Sequence, residues 1–292
     1  MAMLRQRITP ERTRQRSFLP NFSMYRPGVV ASGVLAVLVI IALSGPFMPL
    51  LDPASFSPDI LALPNSQHLL GTDHFGRDLF SRIIAGTQTA LLVAVASASL
   101  SFILGVVLGS VAGYAGGWTD DLLGRVFDVF VLIPAFFLLI LIVALFGASL
   151  WLVILVIGLT TWPSSAKIMR SQVLTYRNRL FVEAARSSGG RPLYLLRRHV
   201  VPNGIGPVIT NTTVLLGEAI LIEAGLSFLG LSDPKTISWG RMIFEAQPYL
   251  VDNPWVALVP GLAIIGTVMC LNVAGDGLTF AFSPMSRRRF MR

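Results

Sequence analysis

Glu218, Glu223 and Asp276 are carboxylates set inside long apolar runs of a 292-residue chain. A charge at bilayer depth costs about 2.5–3.5 kcal/mol on insertion scales, so such groups face protein or water rather than lipid. At roughly 100° per residue, Glu218 and Glu223 point about 140° apart on a helix. They do not form a paired-carboxylate site. Each reads either as lining a polar pathway or contacting a cationic group, or as a structural hydrogen bond to a neighbouring helix. Buried polar groups most often have structural partners, which favours the second reading. Asp276, between Gly275 and Gly277, reads as structural too, and Asn272 adds a polar amide to the same run.

No other group completes a reaction centre. The histidines are His68, His74 and His199, and two of them at the spacing of 68 and 74 make no metal-ligand set. The single cysteine, Cys270, rules out an intramolecular disulfide framework and a cysteine metal cluster. The two lysines, Lys167 and Lys235, follow no glycine-rich turn, and no Gly-x-x-x-x-Gly-Lys-[Ser/Thr] phosphate loop exists in the chain. With no catalytic residue, metal site or cofactor expected, the chain cannot use ATP itself. A membrane-embedded enzyme would need a nucleophile–base or metal constellation that is missing here.

The elements that carry these residues belong to a bilayer. Hydrophobic residues make up 53% of the chain and charged ones 13%, against about 25% charged in soluble domains. Mean hydropathy is +0.69. Continuous apolar runs of roughly 20 residues fit membrane helices rather than an outer-membrane barrel. Six spans are expected near 28–51, 88–113, 126–147, 150–170, 206–228 and 255–282. The fold class is therefore an all-α integral membrane protein with both termini cytoplasmic. With that orientation only Arg77, Arg82, Lys235 and Arg241 of the 23 basic residues lie outside, as the positive-inside rule requires. The net charge of +8 thus reports topology and attraction to anionic lipid, not nucleic-acid binding.

Residues 1–27 read as a basic cytoplasmic tail, 28–51 as the first span, 52–87 as an extracytoplasmic loop, 88–284 as the membrane core and 285–292 as a basic tail. In the outer loop Asp73, Arg77 and Asp78 are close enough to pair and to structure the entry to the second span. That span carries Ser97, Ser101, Gly105, Gly109 and Gly113, a small residue at every fourth position. Such a stripe lets another helix approach backbone to backbone. Asp120, Asp121 and Arg125 form a short cytoplasmic turn, and Pro134 and Trp162-Pro163 are expected to break the third and fourth spans.

The longest internal polar segment, about 171–204, has a definite order. Glu183-Ala184-Ala185 suits the start of a helix, where a carboxylate meets the positive end of the dipole. Gly189-Gly190 ends that helix and Pro192 opens the next. Arg197, Arg198 and His199 follow as a basic cluster, and Pro202-Asn203 stops the segment. A topogenic loop explains the arginines but not this helix–glycine–helix–proline order.

Glu183-Ala-Ala-x-x-x-Gly189, ending in Arg198-His199-Val-Val-Pro202-Asn203, resembles the EAA loop of ABC importer membrane subunits. The closest resemblance is to the dipeptide, oligopeptide and nickel permease branch, second permease of a heterodimeric pair. His68-Leu-Leu-Gly-Thr-Asp73 through Arg82, Glu223-Ala-Gly-Leu-Ser-Phe-Leu-Gly230, Trp239-Gly240 and Asn272-Val-Ala-Gly-Asp276-Gly-Leu resemble that branch in the same order. Val200-Val201 and Thr279-Phe280 depart from its usual Ile-Leu and Arg-Asp. The resemblance implies a type I permease fold in a bacterial inner membrane. Residues 183–202 would be its coupling helix, docked on ATP-binding subunits that hold ATP and Mg. It further implies a second permease subunit, two ATP-binding subunits and an extracytoplasmic solute-binding protein as partners. Peptides are the expected cargo, with nickel, a metal chelate or glutathione as alternatives. An ion-coupled secondary transporter would call for a midplane site within repeated halves, and no internal repeat is visible.

Overall fold

The computed structural model describes residues 22–47 and 51–282. The terminal tails expected at 1–27 and 285–292 fall almost entirely outside these residues. Among the described residues the fold is helical, with one isolated bridge between Thr72 and Asp78. Five helices are long and apolar enough to cross a membrane: α1 (Arg26–Ser44), α2 (Leu79–Ala115), α5 (Leu150–Tyr176), α9 (Gly206–Phe228) and α11 (Trp255–Phe282). The pair α3 (Gly117–Leu132) and α4 (Ala135–Phe146), bent by 75°, brings the number to six where it is counted as one broken span. Short helices α6 (Leu180–Ser187), α7 (Pro192–Leu195) and α8 (Val201–Gly204) form the inner loop, and α10 (Trp239–Ala246) lies between α9 and α11.

Several expectations change. Helix α2 begins at Leu79, so the outer loop ends at Asp78 rather than 87; Asp78 caps the helix by accepting from the Ser81 amide at 2.8 Å. Its 37 residues span about 55 Å at 1.5 Å per residue. It therefore projects beyond a core roughly 30 Å thick. Asp120, Asp121 and Arg125 lie in the first turns of α3 rather than in a loop. The break at Pro134 is present, since Ile133 and Pro134 are extended between α3 and α4. At Pro163 there is no break: α5 runs through it. Trp162 is wedged between Phe127 and Phe130, with ring centroids 5.4 and 5.5 Å away. Neighbouring helices and hydroxyl groups let a membrane helix absorb a proline in this way.

The centre of the bundle is the parallel pair α2 and α5. A Cβ on Gly105 would sit 3.1 Å from the Ala166 nitrogen, and one on Gly109 2.9 Å from the Met169 Cβ. At Gly113 it would lie 2.8 Å from the Arg170 carbonyl oxygen. Ser97 and Ser101 are fully buried on the same face, and the Ser97 hydroxyl donates to the Ile154 carbonyl at 3.2 Å. Because nothing larger than a hydroxymethyl interrupts this stripe, the two backbones come into contact. Helices α9, α10 and α11 close the other side around Leu79, Ile220, Trp239, Met242 and Leu271. Helix α1 packs along α11, where Gly28 meets Gly277.

Candidate functional site

On the inner side, the loop is anchored from within by Val182 and Val200, both fully buried against Met169, Val173 and Val208. These anchors join it to the ends of α5 and α9. Helix α6 then closes in a Schellman motif: the Gly190 amide bonds the Ala185 carbonyl at 3.1 Å, and the Gly189 amide bonds Arg186 at 3.0 Å. Gly189 has a φ of +86°, which only glycine adopts without strain. Gly190 is needed for space, since a Cβ there would sit 2.8 Å from the Ala185 oxygen.

Outward from these anchors the loop presents Glu183 and Ala184, with Ala185 half-buried. Leu180 is 83% exposed and Leu193 63%, with Phe181 and Tyr194 beside them in the exposed class. Leu193, Tyr194, Arg191, Arg197 and Arg198 line a cleft of about 440 Å³. Exposed apolar groups rimmed by charge mark an interaction surface. Pro202 does not stop the segment. Helical turns continue past it, with the Val201 amide bonding Leu196 across a π turn that carries Arg197, Arg198 and His199. Pro202 supplies no N–H to the Arg198 carbonyl, so the register widens ahead of it. Asn203 Nδ2 donates to the His199 carbonyl at 2.6 Å.

The polar groups within the spans divide. Glu223 is 5% exposed and accepts from the Ser227 hydroxyl at 2.6 Å; Ser238, at the N-cap of α10, lies 3.2 Å from Ser227. This chain of three links α9 to α10. Glu218, Asn272 and Asp276 are exposed on the single chain, and Asn272 stands beside α9 at Gly217. Lipid is a poor neighbour for such groups, so this face suits protein or water.

Outside, Asp73 and Arg77 pair at 2.7 Å, but Asp78 turns away to cap α2 and to meet His68 Nδ1 at 3.0 Å. The larger feature was missed from sequence. Glu245 on α10 accepts from Arg77 at 2.6 Å, Arg82 at 2.8 Å and Arg241 at 3.0 Å. Only the i,i+4 spacing of Arg241 and Glu245 gave a local signal. Burial holds the neighbouring His74 imidazole below its ordinary value, against the pull of Asp73.

Residues 105–288 match the family described as "Binding-protein-dependent transport system inner membrane component". The chain is 34% identical over 261 residues to the dipeptide transport system permease protein DppC of Alkalihalophilus pseudofirmus, covering 88% of this chain and 85% of that protein. It is 34% identical to the oligopeptide transport system permease protein OppC of Bacillus subtilis (90% and 88% covered). The glutathione transport system permease protein GsiD of Pectobacterium atrosepticum is also 34% identical (94% and 92%). In structure the chain resembles one from the inward-facing MetNI methionine ABC transporter, with TM-score 0.58 and 17% identity over 69% of this chain and 96% of that one. Exposed inner loop, backbone-packed bundle and these relatives converge: the chain belongs to the family of binding-protein-dependent transport system inner membrane components, as a multi-pass inner-membrane protein.

Proposed function

We propose that this chain is a permease subunit of an ATP-driven ABC importer of small peptides. It forms half of the pathway and works beside a second permease. The observation that carries this reading is the α6–α7 surface, which exposes Leu180, Phe181, Leu193 and Tyr194 outside the bilayer while Val182 and Val200 fix it to the core. Such a surface fits a soluble ATP-binding subunit, and the chain carries no phosphate loop of its own. Relatives named for dipeptides and oligopeptides support peptides as cargo. An extracytoplasmic binding protein would deliver them.

In this reading the ATP-binding subunits hold ATP and Mg, and this chain is non-catalytic. Glu218, Asn272 and Asp276 face the pathway or the second permease, where water or protein meets their charge. Coupling needs the docked ATPase to favour one permease state over another by a few kcal/mol. The loop would carry that preference into α5 and α9 as rigid-body motion. The test is co-purification of the ATP-binding subunits with Glu183→Arg and Gly189→Val. Both should lose the ATPase while still inserting into the membrane. Unchanged co-purification in both variants would refute the docking role.

A further inference from the structure

Where α5 leaves the bilayer toward the inner loop, its side chains grip the first turns of α3. Arg170 makes two bonds to Asp120, through Nε to Oδ1 and through Nη2 to Oδ2 at 2.7 Å. One turn toward the membrane, Lys167 Nζ lies 2.7 Å from Asp128. These pairs line a polar cleft of about 630 Å³ between the two helices. Two turns toward the loop, Arg177 Nη1 donates to the Gly113 carbonyl at 2.7 Å, which ties the end of α5 to the end of α2.

The two ties differ in kind. Between α2 and α5 the glycine stripe leaves no room for sliding, so these helices move as one body. Between α3 and α5 the membrane contact is aromatic, Phe127 and Phe130 on Trp162. Aromatic packing is adhesive but tolerates a shift in register. A bidentate arginine–carboxylate pair is directional and fixes one geometry. Helix α3 is also the inner arm of the bent span, with its 75° break at Ile133–Pro134. Whatever holds its first turns determines how the arm travels.

We infer that Arg170 and Asp120 are positioning residues for energy coupling, a clasp that makes the α3–α4 arm follow α5 when the inner loop is displaced. The inference rests on the loop being the ATPase dock. The Asp120 side chain is 14% exposed and that of Arg170 37%, and both line the polar cleft, so the clasp is held by its two-bond geometry and stays open enough to break during a cycle. Lys167–Asp128 is more exposed on both sides and is the weaker second strap, as solvated pairs are.

The experiment uses the full complex, co-expressed with its second permease, ATP-binding subunits and binding protein and placed in proteoliposomes. Uptake of a radiolabelled dipeptide mixture is measured per ATP hydrolysed. Arg170→Glu should keep the ATP-binding subunits co-purifying and hydrolysis within about twofold of the parent, while uptake per ATP falls roughly tenfold or more. Adding Asp120→Arg to Arg170→Glu should restore the ratio to within about threefold. Arg170→Lys, which keeps charge but loses the fork, should fall between. An unchanged ratio in Arg170→Glu, or a double variant that assembles without recovering it, would overturn the clasp. Failure of the parent chain to retain the ATP-binding subunits would overturn the docking reading instead, and the clasp with it.

Discussion

Arg82 Nη2 lies 2.8 Å from Glu245 Oε2 across 163 residues of sequence, and Arg82 is only 2% exposed. The pair pins α10 to the outer end of α2. Arg77 shares the same carboxylate oxygen at 2.6 Å, bringing the outer loop into the joint. Glu245→Ala takes an acceptor from three guanidinium groups, of which Arg82 is the most buried, while Arg77 keeps Asp73. Breaking a buried pair from one side costs about 3–5 kcal/mol. Thermal unfolding in detergent should show a clear drop, and replacing Arg82 by Met as well should recover part of it. A drop no larger than for Lys235→Ala, an exposed outer-loop change, would count against the joint.

Gly109 and Gly33 provide a matched contrast. A Cβ on Gly109 collides with α5, whereas one on Gly33 meets nothing within 4 Å. Gly109→Val should destabilise by at least the roughly 1–3 kcal/mol typical of overpacking. Gly33→Val, on the open face of α1, should change the unfolding temperature little. Equal effects would mean that the α2–α5 approach is not as close as described.

Within the same stripe, Ser101 and Ser97 should behave differently. The buried Ser101 hydroxyl has no partner among the described residues, while that of Ser97 donates to Ile154. Ser101→Ala removes an unsatisfied group and should be neutral or stabilising. Ser97→Ala should cost about 0.5–1.5 kcal/mol. The comparison is read from paired melts, and a reversed order would show that size alone is not what position 101 requires.

The glycine pair that closes α6 separates dihedral from space. Gly189 has positive φ with open surroundings, and Gly190 has crowded ones. Asparagine tolerates the left-handed region better than other side chains. Gly189→Asn should therefore retain most ATPase co-purification, and Gly190→Asn should lose it. Loss in both would point to a partner contacting position 189 directly.

The sequence carried much of this architecture because its signals are local. Apolar runs placed the fifth and last spans, α9 and α11, at their observed ends. By contrast, α2 and α3 each start well before the expected 88 and 126, α1 ends at Ser44 rather than 51, and α5 continues past 170 to Tyr176. Charge hid the starts of α2 and α3. Arg82 and Asp120 depress hydropathy although the backbone stays helical, since Arg82 pairs with Glu245 and Asp120 with Arg170, both far along the chain. The glycine stripe was legible as a contact face, but not that α5 was its partner.

Residue order by itself determined the membrane class, the orientation and the helix–glycine–helix form of the inner loop, because hydropathy, arginine placement and glycine conformation act within a few residues. Only the tertiary structure decided that Glu245 gathers three arginines, that Arg170 clasps Asp120, and that Glu223 is bonded while Glu218 faces outward. Those outcomes depend on which helices lie side by side, and long-range packing, not spacing along the chain, sets which charges meet.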